Sequence, residues 1–405
     1  MRVLYLTTEF PFPPTSGGRV RSLAELELLV SLPEVTSLTV LTLREADISR
    51  ADILGLTDRL KGARVLESVF HPIHLKQFPH YFAWVAALRV ARRLPYLAGK
   101  WVSPRVYRRI RRILSQTEFD VVYIDHLGMA VYLPLVRRLA PRARFVLEQH
   151  NVESDFFAQF AERQTNPVKR AVARSEHETA RRWEIATMKK VDAVVAISTS
   201  DADAFRAMAG VDAHVVPQVM PLSRRPWTSG RKKRLVYLGN LTWHPNVEGL
   251  DWFVQEVWPH VRANAPDAVL DIGGSGLPPG TVPEKWRAAG VNVVGFVADL
   301  EVFYEGAVGF LAPILGGSGV RIKVLEAFRA GLPLVTTDAG ALGLPIQHGE
   351  HALIGNDARA YADNVVRLCG DDDLQVRLRE GGYDYIEEHH SQRAAAKVMR
   401  LALGF

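Results

Sequence analysis

The sequence predicts an α/β protein with two domains, each built around a parallel sheet. Short apolar runs recur along the chain and are followed by loops and then by segments of helical periodicity. This alternation occurs on both sides of residues 221–233, a segment rich in turn formers and basic residues. Because parallel strands need a crossover connection, usually a helix, the alternation favours parallel sheets. We expect an N-terminal Rossmann-like domain over 1–220, a linker over 221–233, a C-terminal Rossmann-like domain over 234–388 and a returning helix over 389–405.

Composition limits the classes of protein that fit. The chain has 405 residues, of which 48% are hydrophobic, so a globular protein of two or three domains is expected. Cys369 is the single cysteine, which excludes internal disulfides and fits a reducing compartment. No run of 18 apolar residues and no signal-peptide pattern occur, so we expect a cytoplasmic protein. The formal net charge of +6 is too small to indicate nucleic acid by itself.

In the N-terminal half, strands are predicted over residues 2–6, 38–43, 64–69, 119–124, 144–147, 193–197 and 215–217. Gly17 and Gly18 lie between the first strand and a helix over 23–32, where backbone N–H groups can surround an anion, although a glycine pair is also an ordinary turn. His126 and His150 each follow a strand. Because ligands bind at the carboxyl ends of parallel strands, both are candidates to contact a sugar hydroxyl or a reacting oxygen. A structural role remains open for each: His126 bonded to a backbone carbonyl, and His150 capping a helix with Asn151.

Residues 81–114 form an unusual basic and aromatic segment. The segment contains nine Lys or Arg residues, no Asp or Glu, and interleaved aromatic residues that include Phe82, Trp84, Tyr96, Trp101 and Tyr107. Such a composition suits the interface of an anionic membrane. The alternative is a pair of amphipathic helices whose aromatic residues join the core and whose arginines face solvent.

In the C-terminal half, strands are predicted over 234–238, 270–273, 291–294, 308–312 and 334–337, with a helix over 249–261. Residues 312–337 are the most informative stretch: a strand ends in a glycine cluster, and a helix follows that carries Arg321 and Lys323 in its first turn. The helix dipole disfavours cations there unless an anion such as phosphate lies nearby. Glu326, one turn on, can accept hydrogen bonds from sugar hydroxyls. Alternatively the two cations point into solvent and Glu326 pairs with one of them.

This stretch resembles the donor-nucleotide site of family 4 retaining glycosyltransferases, which have the GT-B fold. The resemblance implies two Rossmann-like domains facing a cleft, with the last helix crossing back to the N-terminal domain. It also implies catalytic roles for His126, Arg321 and Lys323, and acceptor contacts by His150 and Asn151. The residues implied to contact the donor are Gly17, Gly18, Phe296, Val297, Ser318, Gly319, Val320 and Glu326.

The sequence departs from the family pattern at three positions. Ser318 stands where the family usually has the first of two glutamates. Asn240 and Asn246 occupy the places of an Arg and a Lys that contact the diphosphate in many relatives, so the phosphate charge would fall on Arg321 and Lys323.

The resemblance implies an enzyme that transfers a sugar from a nucleoside diphosphate sugar to a glycan or lipid-linked acceptor, in the synthesis of a cell-surface polysaccharide or glycolipid. No metal, other cofactor or nucleic acid is expected, and a peripheral position on the inner face of the plasma membrane would fit residues 81–114. Two alternatives remain: a sugar-nucleotide epimerase or hydrolase of the same fold, and a non-catalytic protein that binds a sugar nucleotide as a scaffold. A dinucleotide oxidoreductase is disfavoured because no G-x-G-x-x-G follows the first strand.

Overall fold

A computed structural model describes residues 1–44, 47–60, 63–71, 79–92, 94–162, 164–224, 233–277, 281–316 and 321–405. The chain divides into two compact units, one formed by residues 1–218 with 395–405 and the other by residues 219–394. Residues 225–232 of the predicted linker lie outside the described residues, and so do three of the predicted donor-binding residues, Ser318, Gly319 and Val320.

The first unit contains a seven-stranded parallel sheet in the order β3-β2-β1-β4-β5-β6-β7. Its strands are β1 (Arg2–Thr7), β2 (Ser37–Arg44), β3 (Ala63–Phe70), β4 (Val121–Asp125), β5 (Arg144–Gln149), β6 (Ala193–Ala196) and β7 (Ala213–Val215). The central strands are buried on both faces, as their near-continuous apolar runs predict; Val3, Leu4, Val121 and Val122 are all 0% exposed.

Helices cover the faces of this sheet. They are α1 (Gly17–Ser31), α2 (Arg50–Arg59), α3 (Pro79–Arg92), α4 (Tyr96–Gly99), α5 (Pro104–Gln116), a 3₁₀ helix (Leu127–Tyr132), α6 (Leu133–Leu139), α7 (Glu153–Glu162), α8 (Pro167–Met188) and α9 (Thr199–Ala209). The helix that begins at the glycine pair starts where it does because the Ser16 side chain accepts a hydrogen bond from the Arg19 N–H.

The second unit contains a six-stranded parallel sheet in the order β10-β9-β8-β11-β12-β13. Its strands are β8 (Arg234–Leu238), β9 (Val269–Gly273), β10 (Asn292–Gly295), β11 (Gly309–Ala312), β12 (Leu334–Thr336) and β13 (Ala352–Ile354). Its helices are α10 (His244–Trp252), a π-helical turn (Phe253–Val257), α11 (Trp258–Asn264), α12 (Glu284–Ala288), α13 (Leu300–Tyr304), α14 (Ile322–Arg329), α15 (Asp338–Ala341), α16 (Ala358–Gly370) and α17 (Asp372–His389).

The two parallel sheets confirm the predicted α/β class, and differences in detail have physical causes. The helix expected over 249–261 begins earlier, at His244, because Pro245 fits the first helical position, and it is interrupted by the π-helical turn. The strand Ala352–Ile354 was not predicted because three residues are too few for a periodic pattern.

The last helix, α18 (Gln392–Leu403), follows the second unit in the chain, but residues from 395 onward group with the first unit. Two contacts hold it there. Arg400 Nε lies 2.7 Å from Glu34 Oε1, and Arg144 Nε donates a 2.9 Å hydrogen bond to the Ala402 carbonyl. Among the helices that the structure describes, none combines the length and apolar character needed to cross a bilayer.

Candidate active site

Each sheet has a topological switch point, the place where the strand order reverses, and ligands bind at the carboxyl ends of the strands beside it. In the first unit this point lies between β1 and β4, and in the second between β8 and β11. His126 directly follows β4, and the loops after β8 and β11 lead to the helices that carry Asn246 and Lys323. The structure therefore places predicted site residues at both switch points.

In the first unit, Asp125 connects the two predicted histidines. His150 Nε2 lies 2.9 Å from Asp125 Oδ1 in a hydrogen bond, and His126 Nδ1 lies 2.9 Å from the same oxygen. The two imidazole rings are 3.8 Å apart between centroids. Ser22 donates a 2.6 Å hydrogen bond to Asp125 Oδ2, so both carboxylate oxygens have partners. The two strand ends thus converge, as their positions after neighbouring strands predicted.

Burial and charge act in opposite directions on this cluster. Burial by itself raises the pKa of Asp125, but the contacts with His126 and His150 overcome it and hold the pKa well below its usual value. Burial lowers the pKa of His150, but the hydrogen bond to Asp125 and the charges of Asp125 and Glu148 overcome that effect, so the pKa is raised. The protonated form of His150 is therefore favoured.

A second set of buried charges supports this cluster. Arg21 lies between two carboxylates, with Nη2 2.7 Å from Glu25 Oε1 and Nε 2.8 Å from Glu148 Oε1. The Tyr123 hydroxyl lies 2.9 Å from Glu25 Oε2 and 3.0 Å from Glu148 Oε2. All four side chains are almost fully buried. Since α1, β4 and β5 each contribute to this network, it fixes the helix of the glycine pair against the strands that end in the histidines.

The backbone of His126 adopts a conformation that is unusual for its residue type. Its φ is 70°, the one positive φ at a non-glycine residue among those the structure describes. Such a conformation costs energy and persists only where the surroundings hold it, which is common at functional sites. Gly18 packs close by: a Cβ there would lie 3.6 Å from His126 Nε2 and 2.7 Å from Glu9 Oε1. A side chain at position 18 would therefore displace the carboxylate of Glu9 and contact His126.

His126 lines a cavity of about 700 Å³ at the carboxyl ends of β1, β2 and β4. The other lining residues combine aromatic rings with charged side chains, including Phe10, Phe12, Trp101, Glu9, Arg19 and Arg44. Arg19, a weaker sequence candidate, forms an ion pair with Glu9 at 2.9 Å. Aromatic faces and paired polar groups are suited to binding a sugar-sized polar molecule. His150 packs against His126 but does not line this cavity, and Asn151 is exposed beyond the end of β5.

Among the residues that the structure describes, one cluster of side chains could hold a metal ion: Asp125, His126 and His150. Their ligand atoms lie within 4.8 Å of one another. The same atoms are already engaged with each other through the shared Asp125 oxygen. The expectation that no metal is needed stays a prediction, which chelation can test.

In the second unit, Arg321 and Lys323 lie at the start of α14. Arg321 is 8% exposed, and its Nε donates a 2.9 Å hydrogen bond to the Ala339 carbonyl. Lys323 Nζ donates to the Tyr237 hydroxyl at 2.9 Å and to Asn246 Oδ1 at 2.8 Å. Neither cation points freely into solvent. Asn246 and Asn240, two positions where the sequence departs from the family pattern, lie beside Lys323. Asn246 accepts a hydrogen bond from Lys323 and donates one of 2.9 Å to the Asn240 backbone carbonyl.

Lys323 is a partly buried cation whose described partners are neutral. No acidic side chain contacts its Nζ within the part of the chain that the structure describes. Burial, assisted by the charge of Arg321, lowers the pKa of Lys323 to about 8. Burial also lowers the pKa of Arg321. A bound anion would reverse both effects, which makes this helix start a candidate anion site.

The remaining predicted donor residues lie in the same unit. Glu326 accepts two hydrogen bonds from Arg329, at 2.8 and 2.6 Å, and does not pair with Arg321 or Lys323. Phe296 and Val297 follow β10; Phe296 is 76% exposed, whereas Val297 packs over Gly273 at the end of β9. Gly249 permits a close approach in this region, since a Cβ there would lie 1.9 Å from the Pro313 carbonyl oxygen at the start of the glycine loop.

Sequence reasoning missed the side chains that hold the histidines in place, namely Asp125, Arg21, Glu25 and Tyr123. A signal existed in two places. Asp125 is a carboxylate at the end of an otherwise apolar strand, and Arg21 and Glu25 are charged residues four apart within an apolar helix. Neither signal identifies the contacts between the helix and the strands, because these join residues about 100 positions apart, such as Tyr123 and Glu25.

Family models match most of the chain. The model described as Glycosyltransferase Family 4 matches residues 55–224, and the model described as Glycosyl transferases group 1 matches residues 232–371. Together they cover well over half of the sequence.

Individual relatives agree with these matches. A Klebsiella pneumoniae protein described as an uncharacterized 44.6 kDa protein in the cps region is 22% identical, over 97% of this chain and 97% of its own. A phosphatidyl-myo-inositol mannosyltransferase of Mycobacterium leprae is 26% identical over 76% of this chain and 80% of its own. The crystal structure of Anabaena HepE with UDP and glucose is similar in fold, with a TM-score of 0.66, 13% identity and coverage of 100% of this chain and 99% of its own.

The fold and the two switch-point sites define an α/β protein of the GT-B class. The chain is a glycosyltransferase that carries family 4 and group 1 domains, as its resemblance implied.

Proposed function

We propose that this protein is a retaining hexosyltransferase that uses a nucleoside diphosphate sugar as donor and a glycan or lipid-linked molecule as acceptor. The observation that carries the proposal is the start of α14, where Arg321 and the partly buried Lys323 lie at a switch point and the described partners of Lys323 are neutral. A diphosphate is the anion that this site suits, because a helix N-terminus and two cations occur within one short segment.

The donor assignment has support from outside the chain. Anabaena HepE, which is similar in fold, was crystallised in complex with UDP and glucose. The proposal therefore assigns donor binding to the second unit, with Arg321 and Lys323 on the diphosphate and with Glu326, held by Arg329, as the contact for the sugar.

The acceptor is assigned to the first unit. The cavity of about 700 Å³ beside His126 offers aromatic faces for a sugar ring and charged groups for its hydroxyls. The relationship to a phosphatidyl-myo-inositol mannosyltransferase and to a protein of a cps region favours an acceptor for a glycolipid or a cell-surface polysaccharide.

The chemistry that these residues perform is electrostatic. As the bond to the diphosphate breaks, negative charge develops on the leaving oxygen, and Arg321 and Lys323 stabilise it. His126, whose ring lies against Asp125, hydrogen-bonds the reacting sugar. The acceptor hydroxyl attacks on the face from which the diphosphate departs, which retains the configuration without an enzyme nucleophile and without a metal.

We also place the enzyme on the inner face of the plasma membrane. The support is helix α5, which has Val106, Ile110 and Ile113 buried and a row of arginines, Arg105, Arg108, Arg109 and Arg112, along its opposite face. Each basic residue near an anionic membrane contributes about 1 kcal/mol to binding.

The first experiment is a thermal-shift measurement on the full chain with a panel of UDP- and GDP-sugars, each with and without EDTA. A ligand that binds the folded state raises the melting temperature. We expect one sugar nucleotide to raise it equally in both conditions, and Arg321→Ala to abolish the shift while the unliganded melting temperature changes little.

The result can also contradict the proposal. A shift that needs a divalent ion would remove the metal-independent mechanism and direct attention to Asp125, His126 and His150. A shift with NAD(P) alone would remove the transferase. Donor binding without turnover on any lipid-linked acceptor would favour the non-catalytic scaffold, and release of a free or epimerised sugar would favour the hydrolase or epimerase.

A further inference from the structure

A second cavity of the first unit has a different chemical character from the one beside His126. It has a volume of about 420 Å³ and lies between the end of the edge strand β3 and helix α5. The strand contributes Ser68, Val69 and Phe70. The helix contributes four arginines: Arg105, Arg108, Arg109 and Arg112.

The arginines face the cavity because of their spacing. Positions 105, 108, 109 and 112 fall on one face of a helix, since residues three, four and seven apart are neighbours on its surface. The opposite face is fixed in the core, where Val106 and Ile110 are 0% exposed. Helix α5 therefore cannot rotate to disperse these charges without exposing its apolar residues.

Three of these arginines have no acidic partner among the side chains that the structure describes. Arg105, Arg108 and Arg112 are exposed and form no ion pair with any acidic side chain that the structure describes. The Oγ of Ser68 is buried and has no hydrogen-bond partner among the described residues. Planar guanidinium groups bind phosphate through paired hydrogen bonds, and a serine hydroxyl adds a neutral donor to the same oxygens.

The arginine cavity adjoins the cavity beside His126. Strands β2 and β3 are paired in register, with Leu43 opposite Val69 and Arg44 opposite Phe70. Leu43 and Arg44 line the larger cavity, whereas Val69 and Phe70 line the arginine cavity. The guanidinium carbon of Arg44 lies 5.5 Å from the centre of the Phe70 ring. One molecule could therefore extend from one cavity to the other across two neighbouring strand ends.

We propose that the arginine cavity binds a phosphate group of the acceptor, while the sugar or polyol part of the same molecule occupies the cavity beside His126. This inference rests on the proposed function for its second half and makes that function more specific: the acceptor is a phosphate-bearing molecule. The phosphate belongs to a lipid headgroup at a membrane surface or to a free phosphorylated glycan.

The test compares Arg108→Gln and Arg112→Gln, singly and together, with Arg111→Gln. Arg111 is an exposed arginine of the same helix that does not line the cavity, so it matches each single variant in charge and helix. Two probes are used on the full chain: inorganic pyrophosphate, measured by calorimetry with Arg321→Ala present throughout so that the candidate donor site does not contribute, and co-sedimentation with vesicles of equal parts phosphatidylglycerol and phosphatidylcholine, against pure phosphatidylcholine.

We expect the double variant to weaken binding by about tenfold for each arginine removed, and Arg111→Gln to change it by less than about twofold. Loss with both probes indicates a site for phosphate in general, and loss with vesicles alone indicates a lipid headgroup. Arg105→Gln in combination with Ser68→Ala is a second variant with the same expectation, should the first fold poorly.

Equal weakening by each single variant and by Arg111→Gln would overturn the proposal, because it would show a diffuse surface charge. Unchanged binding in the double variant would overturn it as well. The donor thermal shift is measured in the same variants. If that shift is absent even in the unaltered protein, the proposed function fails while the arginine cavity is still tested by its two probes.

Discussion

The charged side chains of the two candidate sites have different kinds of partner. In the first unit, Arg21 is enclosed by Glu25 and Glu148, and Asp125 lies against two histidines, so each of these two buried charges has an ionisable side chain in contact. In the second unit, Lys323 is held by a hydroxyl and an amide. In the first arrangement the protein itself supplies the ionisable partners of each charge. In the second, Lys323 has no described acidic partner, and this difference distinguishes a structural network from a site that a ligand completes.

The physical reason lies in the cost of desolvation. A buried charge that loses its partner destabilises the fold by several kcal/mol, whereas one with only neutral partners has a shifted pKa and gains when an opposite charge binds. The lowered pKa of Lys323 and the raised pKa of His150 are the two signatures.

The largest expected effect is on stability in the first unit. Arg21→Met should lower the free energy of unfolding by about 3–5 kcal/mol, because it leaves two carboxylates buried without their cation. Urea unfolding measures the change. Arg19→Met is the matched control, since its partly exposed ion pair with Glu9 should be worth less than about 1 kcal/mol. Similar losses in the two variants would mean that burial does not distinguish these pairs.

The next effect is on catalysis in the second unit. Lys323→Met should lower kcat/KM by about 10²–10³-fold, because the leaving diphosphate loses a preorganised cation. The melting temperature should change little, since the partners left behind are neutral. Lys285→Met, which removes a more exposed lysine paired with Asp251 at 2.7 Å, should leave kcat/KM unaltered. A large loss of stability in Lys323→Met would place this lysine among the structural charges.

The smallest effect is on the pH dependence of donor binding. With a pKa of about 8, Lys323 is protonated below that pH and neutral above it, and a bound diphosphate favours the protonated form. Donor affinity should therefore be constant below about pH 7 and fall by up to about tenfold for each pH unit above 8. Calorimetry with the sugar nucleotide identified by thermal shift measures it.

Lys323→Arg provides the control for this pH dependence, because a guanidinium stays charged through this range. The variant should lose the decline above pH 8 even if its affinity is lower throughout. A decline that persists in Lys323→Arg would assign the titration to another group.

The elements that could be predicted from sequence are those whose signal is local. The strands from Arg2 and from Arg234 are continuous apolar runs, and the helix that carries Lys323 has a clear apolar period. Their order along the chain was enough for the parallel sheets, since parallel strands require helical crossovers. The three-residue strand Ala352–Ile354 and the π-helical turn depend on their neighbours and gave no such signal.

For the site, the sequence by itself determined which residue types follow the strand ends: the glycine pair, the two histidines, and the cations after the glycine loop. Those are consequences of position in an α/β chain. Only the tertiary structure decided their partners: that one aspartate serves both histidines, that Arg21 is enclosed by two glutamates, and that Asn246 binds Lys323. The reason is that a buried charge is paired according to distance in space, and residues such as Tyr123 and Glu25, 98 positions apart, become neighbours only when the sheet has formed.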